Sequence, residues 1–386
     1  MAIQLLVTDR NLNVVGDPIV DWRSLDVTRS FNAPAAGTLE LVAYPDILAQ
    51  LQPGNRIIVI RDGQIWCAGP MEVPQEYTWG VGGASASSEP DPGIVKVSFA
   101  DDLAYLAGYK TYPNPAAAAT AQTVASYVRT AVNGETILRD LVNLNCGPGA
   151  LTARKIAHLV LGAVASVGTT CNVTTRFEPL LDACRTVAIA AGGLGFRTAQ
   201  VGTSIEYQVY GPRDLTATAR FSRGLGNLRA VSYKQSAPTL TTALVAGSGD
   251  AESRIIAEVS DATATSTWWR IEDVVNQSDT GDASQLTQSG QVALAQGAAP
   301  VELATVTVDT PDLKAGRDFD LGDKVSVELA TGTTVSDLVR STQLQASPKD
   351  GEYVTSVVGS PDATTDPRWV TAVRDLSKRL ARLERT

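Results

Sequence analysis

The chain has 386 residues, 44% of them apolar and 19% charged, and a formal net charge of −9. That length and composition fit two or three domains with sizeable cores and exclude a mainly disordered chain. The acidic balance argues against a general phosphate-binding surface, because neutralising a nucleic-acid backbone needs clustered Lys and Arg.

The first residues, MAIQLLVTDRN, lack a basic stretch followed by an apolar run, since Asp9 and Arg10 interrupt them. No secretion signal is expected there, and folding in a cytoplasm is. Leu39 and Leu41 flank Glu40 in the first of several alternating runs that read as strands with one buried and one wet face. Residues 51–60, LQPGNRIIVI, set a Gly54-Asn55 turn before a basic residue and an apolar strand. The Gly, Ser and Pro segment from 74 to 93 reads as a long, mobile hairpin tip, either disordered or touching a partner. Val95, Val97 and Phe99 then alternate with Lys96 and Ser98 as another strand.

Helical spacing is concentrated in the middle. Val124, Tyr127, Val128 and Ala131 give a weak case, while Ile156, Leu159, Val160, Ala163, Val164 and Val167 give a full apolar stripe. Leu180, Cys184, Val187, Ala188 and Ala191 give a second, stopped by Gly192-Gly193. Strands resume with Ile205, Tyr207 and Val209, and again with Val325, Val327 and Leu329. The segment FDLGDKVSVE at 319–328 repeats the earlier turn-then-strand pattern at Gly322-Asp323, which makes a duplicated barrel worth proposing. The pattern predicts an α/β insertion between two β-rich regions.

After Asp366-Pro367, the residues Trp369, Val373, Leu376, Leu380 and Leu383 follow a 4, 3, 4, 3 spacing, the seam of a short coiled coil. Six basic residues against two acidic ones lie between Arg368 and Thr386. A helix this short is marginal alone. It is expected to self-associate, with packing back on its own domain or docking on an acidic neighbour as the other readings.

Catalytic chemistry finds little support. The four cysteines, Cys67, Cys146, Cys171 and Cys184, form no CxxC pair and read as reduced and mostly buried. His158, the single histidine, falls off the predicted helical stripe and reads as a surface or interface residue rather than a base. No GxSxG, HExxH, Walker A or complete GxGxxG occurs. Gly193-Leu194-Gly195 and Gly224-Leu225-Gly226 read as turns. Asp279-Thr280-Gly281 matches the aspartic-protease triplet, but that reaction needs two carboxylates sharing a proton, and the flanking residues are polar; a solvated turn is expected. Asp101-Asp102, Glu272-Asp273 and Asp318 with Asp320 read as caps, turns or surface charges rather than calcium ligands. Trp268-Trp269 reads as core and interface, with sugar stacking as the alternative.

Four stretches carry a resemblance. They are TRSFNAPAAGTLELVAYP with LQPGNRIIVIRDGQIWCAGPMEV; LGFRTAQVGTSIEYQVYGPRDLT; ARFSRGLGNLRAVSYKQSAPTLTTALVAGSGDAESRIIAEVSD with TWWRIEDVV; and RDFDLGDKVSVEL with DGEYVTSVVG. In this order they resemble the tail hub proteins, of the minor-tail or baseplate-hub kind, found in the long non-contractile tails of actinobacterial phages. The resemblance implies a mainly β chain with an α/β insertion, two tail-tube-like β-barrels and a short C-terminal amphipathic helix. The implied boundaries are 1–113 and 221–362 for the barrels, 114–220 for the insertion and 363–386 for the linker and helix.

The resemblance further implies a homotrimeric structural hub that adapts a hexameric tail tube to a three-fold tip and lets DNA pass without specific binding. Its partners would be the distal tail or tail tube protein, the tape measure protein and receptor-binding or fibre proteins. No cofactor, metal or membrane is implied, and the expected location is the virion tail tip. A receptor- or carbohydrate-binding tip protein is the first rival, a tail-associated hydrolase the second. Trp369, Val373, Leu376, Leu380 and Leu383 are the expected contact residues.

Overall fold

The alternating runs are strands in the computed structural model, which describes residues 3–72, 76–78, 92–235, 237–298, 301–307, 309–329, 332–349 and 351–359. The first part holds β1 (Ile3–Thr8), β2 (Trp22–Ser30), β3 (Ala33–Val42), α1 (Pro45–Gln50), β4 (Arg56–Arg61), β5 (Gln64–Pro70), β6 (Glu76–Thr78), β7 (Ile94–Ala100) and α2 (Ala104–Ala107). Next come β8 (Tyr127–Asn133), α3 (Gly134–Asn145), β9 (Leu159–Leu161), β10 (Thr170–Thr175), α4 (Leu180–Ala190), β11 (Gly195–Val201) and β12 (Ser204–Tyr210). The strands β13 (Arg220–Phe221) and β14 (Leu228–Gln235) lead into β15 (Thr242–Ala246), β16 (Ile256–Ser260), α5 (Ala262–Thr267), β17 (Glu272–Asn276) and α6 (Ala283–Gly297). The chain closes with β18 (Val301–Thr307), β19 (Lys324–Glu328), β20 (Thr334–Ser347) and β21 (Gly351–Val358).

The fold is mainly β. Ten strands make one sheet, in the order β14-β18-β21-β20-β2-β3-β7-β6, with β19 on β20 and β13 beside β19. The series is open, with no closed barrel among the described residues. Its central pairing joins the two ends of the chain: Leu25 lies opposite Ala346 and Val27 opposite Leu344. Because strand side chains alternate, Leu25, Val27, Leu39, Leu41, Val97 and Leu344 all turn to one face, where each is at most 2% exposed. They pack against Leu5, Val7, Ile57 and Val59 of the smaller β1-β4-β5 sheet. Burying each such side chain contributes about 1.5–3 kcal/mol. Gly37 sits opposite Phe99 on β7, and a Cβ there would lie 2.3 Å from the Phe99 ring, so the ring itself fills the glycine's place.

The residues between β8 and β12 have their own α/β core, with Ile137, Leu141, Leu180, Cys184 and Tyr207 fully buried between α3, α4 and two small sheets. The helix expected at 180–191 is α4. The one expected at 156–167 is not formed: Leu159–Leu161 is the short strand β9, parallel to β12. His158 and Ser166 take positive φ, and Gly162 lies close against Glu206 and Gln208, all incompatible with a continuous helix. The weak helix at 124–131 is also replaced, by β8, which pairs with β10. The helix there is α3 instead, started by Asn133, whose side chain accepts from the Glu135 and Thr136 amides.

A further small α/β unit, unread in the sequence, interrupts the chain between β14 and β18. Its three-stranded sheet β16-β15-β17 is covered on one face by α6, around Ala243, Val245 and Leu286, each 0% exposed. Asp282 caps α6 through the Ser284 and Gln285 amides. The two α/β units touch through Gln288 and Asn172, which exchange two hydrogen bonds of 2.6 Å.

Candidate functional site

A concavity of about 830 Å³ lies where the opening strands, the β11–β12 hairpin and the loop before β19 meet. Trp66, on β5, forms its floor. The Arg29 guanidinium stacks 3.8 Å above the indole, and that of Arg61 lies 5.1 Å from it. Arg29 donates to Asp320 at 2.6 Å, and Arg197 of β11 reaches the other oxygen of the same carboxylate at 3.2 Å. Burial raises the Asp320 carboxyl, yet Arg29, the Leu321 backbone hydrogen bond and Arg197 together outweigh it and hold the group below its ordinary value. Arg61 pairs with Asp309 and Glu352 and donates to the Ala315 carbonyl. Lys314 reaches Asp62 at 3.1 Å. One carboxylate or arginine at a time, the cavity walls tie three parts of the chain together.

Asn32 does the same through the backbone. Held at φ +54° between β2 and β3, it donates to the Leu194 carbonyl at 2.9 Å and accepts from the Phe196 amide at 2.8 Å. Arg185 of α4 donates to the Asn32 carbonyl, and the Tyr210 hydroxyl donates to Leu321 at 3.0 Å.

Asp101 and Asp102 correct the sequence reading of this pair as a cap, turn or surface charge. Asp102 is 2% exposed and bidentate to Arg56, itself 1% exposed. Arg56 also donates to Thr8 at 3.1 Å and to Gln200 of the β11–β12 hairpin at 2.9 Å. Among the described residues Asp101 forms no ion pair, one of its buried carboxylate oxygens has no hydrogen bond, and burial, with Asp102 adjacent, lifts its pKa to about 7. Nothing in this cluster places a nucleophile beside a base, so its chemistry is that of a polar clamp.

On the face of the large sheet turned away from its core, Glu40 lies opposite Lys96 among mostly uncharged side chains. Thr28, Thr38, Ser98 and Gln345 are half-buried there, whereas Gln343 and Thr355 are buried. The Asp26 carboxylate in their midst accepts from the Gln343 amide, at 2.6 and 2.8 Å, and from Gln345 at 2.7 Å.

The expected contact residues Trp369, Val373, Leu376, Leu380 and Leu383 lie outside the described residues, as does the centre of the hairpin tip at 74–93. His158 is exposed at the start of β9, and Asp279 is exposed on a turn whose neighbour Asp282 spends its carboxylate on the α6 cap. Trp268-Trp269 departs from the core reading: the pair follows α5 edge to face, and Trp269 is 58% exposed. All four cysteines are free and buried, and burial pushes Cys146 and Cys184 up to about 12. Among the described residues no helix is long and apolar enough to cross a membrane, and no group of acidic, His or Cys side chains has a metal-binding arrangement. Trp66, Arg29 and Arg61 went unread, because a lone arginine or tryptophan in an apolar strand has no spacing signal.

The family model of Siphovirus ReqiPepy6 Gp37-like proteins matches residues 4–360. The chain belongs to this family. The family is one of siphovirus proteins, and the fold is one shared with phage tail proteins. No curated protein matches the sequence. The fold is similar to that of the 43 kDa tail protein of prophage MuSo2 from Shewanella oneidensis, at 13% identity and a TM-score of 0.61, covering 94% of this chain and 100% of that one. A tail protein from Neisseria meningitidis MC58 gives 13% identity and a TM-score of 0.54, covering 94% and 97% of the two chains. Prophage tail protein gp18 from Listeria monocytogenes EGD-e gives 10% and 0.53, covering 98% and 99%. The similarity therefore runs through both α/β units as well as the large sheet.

Proposed function

We propose that this tail protein is a homotrimeric hub, in which each chain contributes two tube-like β units so that three chains meet a hexameric tail tube. The supporting observation is the β2–β20 junction, which brings an N-terminal and a C-terminal β unit into one sheet. Gly54 and Gly322 open matching turns, each at φ +86°, one residue pair before β4 and β19. The units correspond to residues 1–113 and 221–362, with 114–220 as the insertion between them. The sheet face around Asp26, where Lys96 is set against Glu40, would suit a channel wall along which DNA slides without sticking. The tube protein above, the tape measure within and receptor-binding or fibre proteins below would be the neighbours. Residues 363–386 would join the three chains or receive the next tip component.

Mass photometry of the purified chain near neutral pH tests the assembly. A species of three chains is expected, with a ring in electron micrographs; a monomer at all micromolar concentrations overturns the hub. Trp269 favours a second reading, a carbohydrate-binding tip protein, through its exposed indole. Host surface glycan that quenches its fluorescence would support that reading, and an unchanged spectrum would remove it.

A further inference from the structure

The two α/β units carry opposite charge. Residues 127–210, from β8 to β12, hold seven basic residues, Arg154, Lys155 and Arg176 among them, against five acidic ones. Residues 239–298 hold eight acidic residues against two basic ones, in a chain whose net charge is −9. On the basic unit, Phe177 stands at φ +54°, a conformation costly for a bulky side chain, and keeps its ring 40% exposed. Tyr112 meets that ring edge to face at 5.7 Å. The Arg154 guanidinium stacks 3.6 Å over Tyr112, and Arg176 lies 5.6 Å from the Phe177 ring.

Neither arginine takes a carboxylate among the described residues. Arg154 donates to the Lys110 carbonyl at 2.5 Å, and Arg176 donates to the Ala125 carbonyl at 2.5 Å. Arg29, Arg56, Arg61 and Arg197, by contrast, are all paired with acids. The strained aromatic and the stacked, unpaired guanidinium groups are thus held ready for an anionic surface with an apolar centre.

The acidic unit has such a surface. Its loops 248–253 and 278–281 are joined by the Ser248 amide donating to Thr280 at 2.8 Å, which sets the exposed Glu252 and Asp279 at the same end of the sheet. Ile255 and Ile256, 46% and 57% exposed, continue it. Within one chain the units are anchored through Asn172, which exchanges hydrogen bonds with Gln288 and donates to the Ser284 hydroxyl at 3.4 Å. We propose that the Phe177–Arg154–Arg176 patch receives the Glu252–Asp279 end of the acidic unit of a second copy of this chain. Such a head-to-tail contact repeats around a closed ring. This deepens the hub reading and rests on self-assembly, not on the number three.

The test compares full-length wild type with Arg154→Glu/Arg176→Glu, with Glu252→Arg/Asp279→Arg, and with the chain carrying all four changes. Mass photometry at physiological and at 0.5 M salt, roughly a Debye length of 8 Å and about half that, reads the assembly. Each double reversal should raise the concentration for half-assembly by roughly tenfold or more, and the fourfold swap should restore it. Because a misfolded double variant cannot be rescued by reversing the opposite surface, recovery in the swap supports the contact even where a reversal lowers stability. Wild-type assembly left intact by both reversals overturns this contact and leaves the trimer standing. Rescue within an assembly of another number supports the contact and overturns the trimer, while a wild-type monomer overturns both.

Discussion

Gly316 lies against the indole of Trp66 so closely that a Cβ would stand 2.9 Å from Cζ3, in a backbone at φ +82°. Gly332 has a similar φ of +79° with open space around it. Gly316→Ala is expected to lose about 2–4 kcal/mol, and Gly332→Ala only the ~1–2 kcal/mol of its backbone strain. Urea denaturation of both measures the difference, which belongs to the crowding at Trp66. Equal losses would mean that the indole moves aside freely.

Arg56 and Asp102 form the most deeply buried ion pair described, and removing one partner leaves a buried charge without compensation. Arg56→Met should cost about 3–5 kcal/mol, and Arg56→Met/Asp102→Leu should recover most of it. Denaturation midpoints of the single and double variants check this cycle. A double variant as unstable as the single would assign the loss to packing around Thr8 and Gln200.

Asn32→Gly keeps the positive φ while deleting both side-chain bonds to the β11 entry. A loss of about 1–3 kcal/mol is expected. Hydrogen exchange should speed up at 194–196 while α3 and α4 stay protected, because their core is independent of Asn32. Faster exchange throughout α4 would show that the insertion depends on this clasp to fold.

Asp101 titrates with a folded pKa of about 7, raised from 3.8. The native state therefore binds a proton more tightly than the unfolded one. Its favourable contribution is full below pH 4 and is lost as pH rises to about 7. Asp101→Asn should match wild type near pH 4 and exceed its stability by on the order of 1–3 kcal/mol at pH 8. Melting curves of both proteins from pH 4 to 8 measure the widening gap, and parallel curves would contradict the shift.

The strands at 39–41, 95–99 and 205–209 were legible because each turns one face to a core and one toward water, which prints a two-residue period, and the alternation at 325–327 was legible although Ser326 is buried too. Helix α4 printed its own period for the same reason. At 156–167 the same residues served a parallel strand and two turns, and their apolar spacing came from packing on β12 rather than from a helix stripe. Helix α6 escaped notice because only Leu286 and two glycines along it are fully buried, leaving a faint stripe. The clamp at Trp66 and Asp320 was unreadable in principle: its members are separated by hundreds of positions and meet only after the sheet is built.

The pairing of β2 with β20 also dictates when the protein can be finished. A strand made early must wait for one made near the end of synthesis, so its hydrogen-bonding edge stays open while both α/β units can already close around local contacts. On the ribosome, the large sheet is then the last part to mature, and a chain stopped before Thr334 would emerge with a sticky margin and clump rather than accumulate as a soluble fragment.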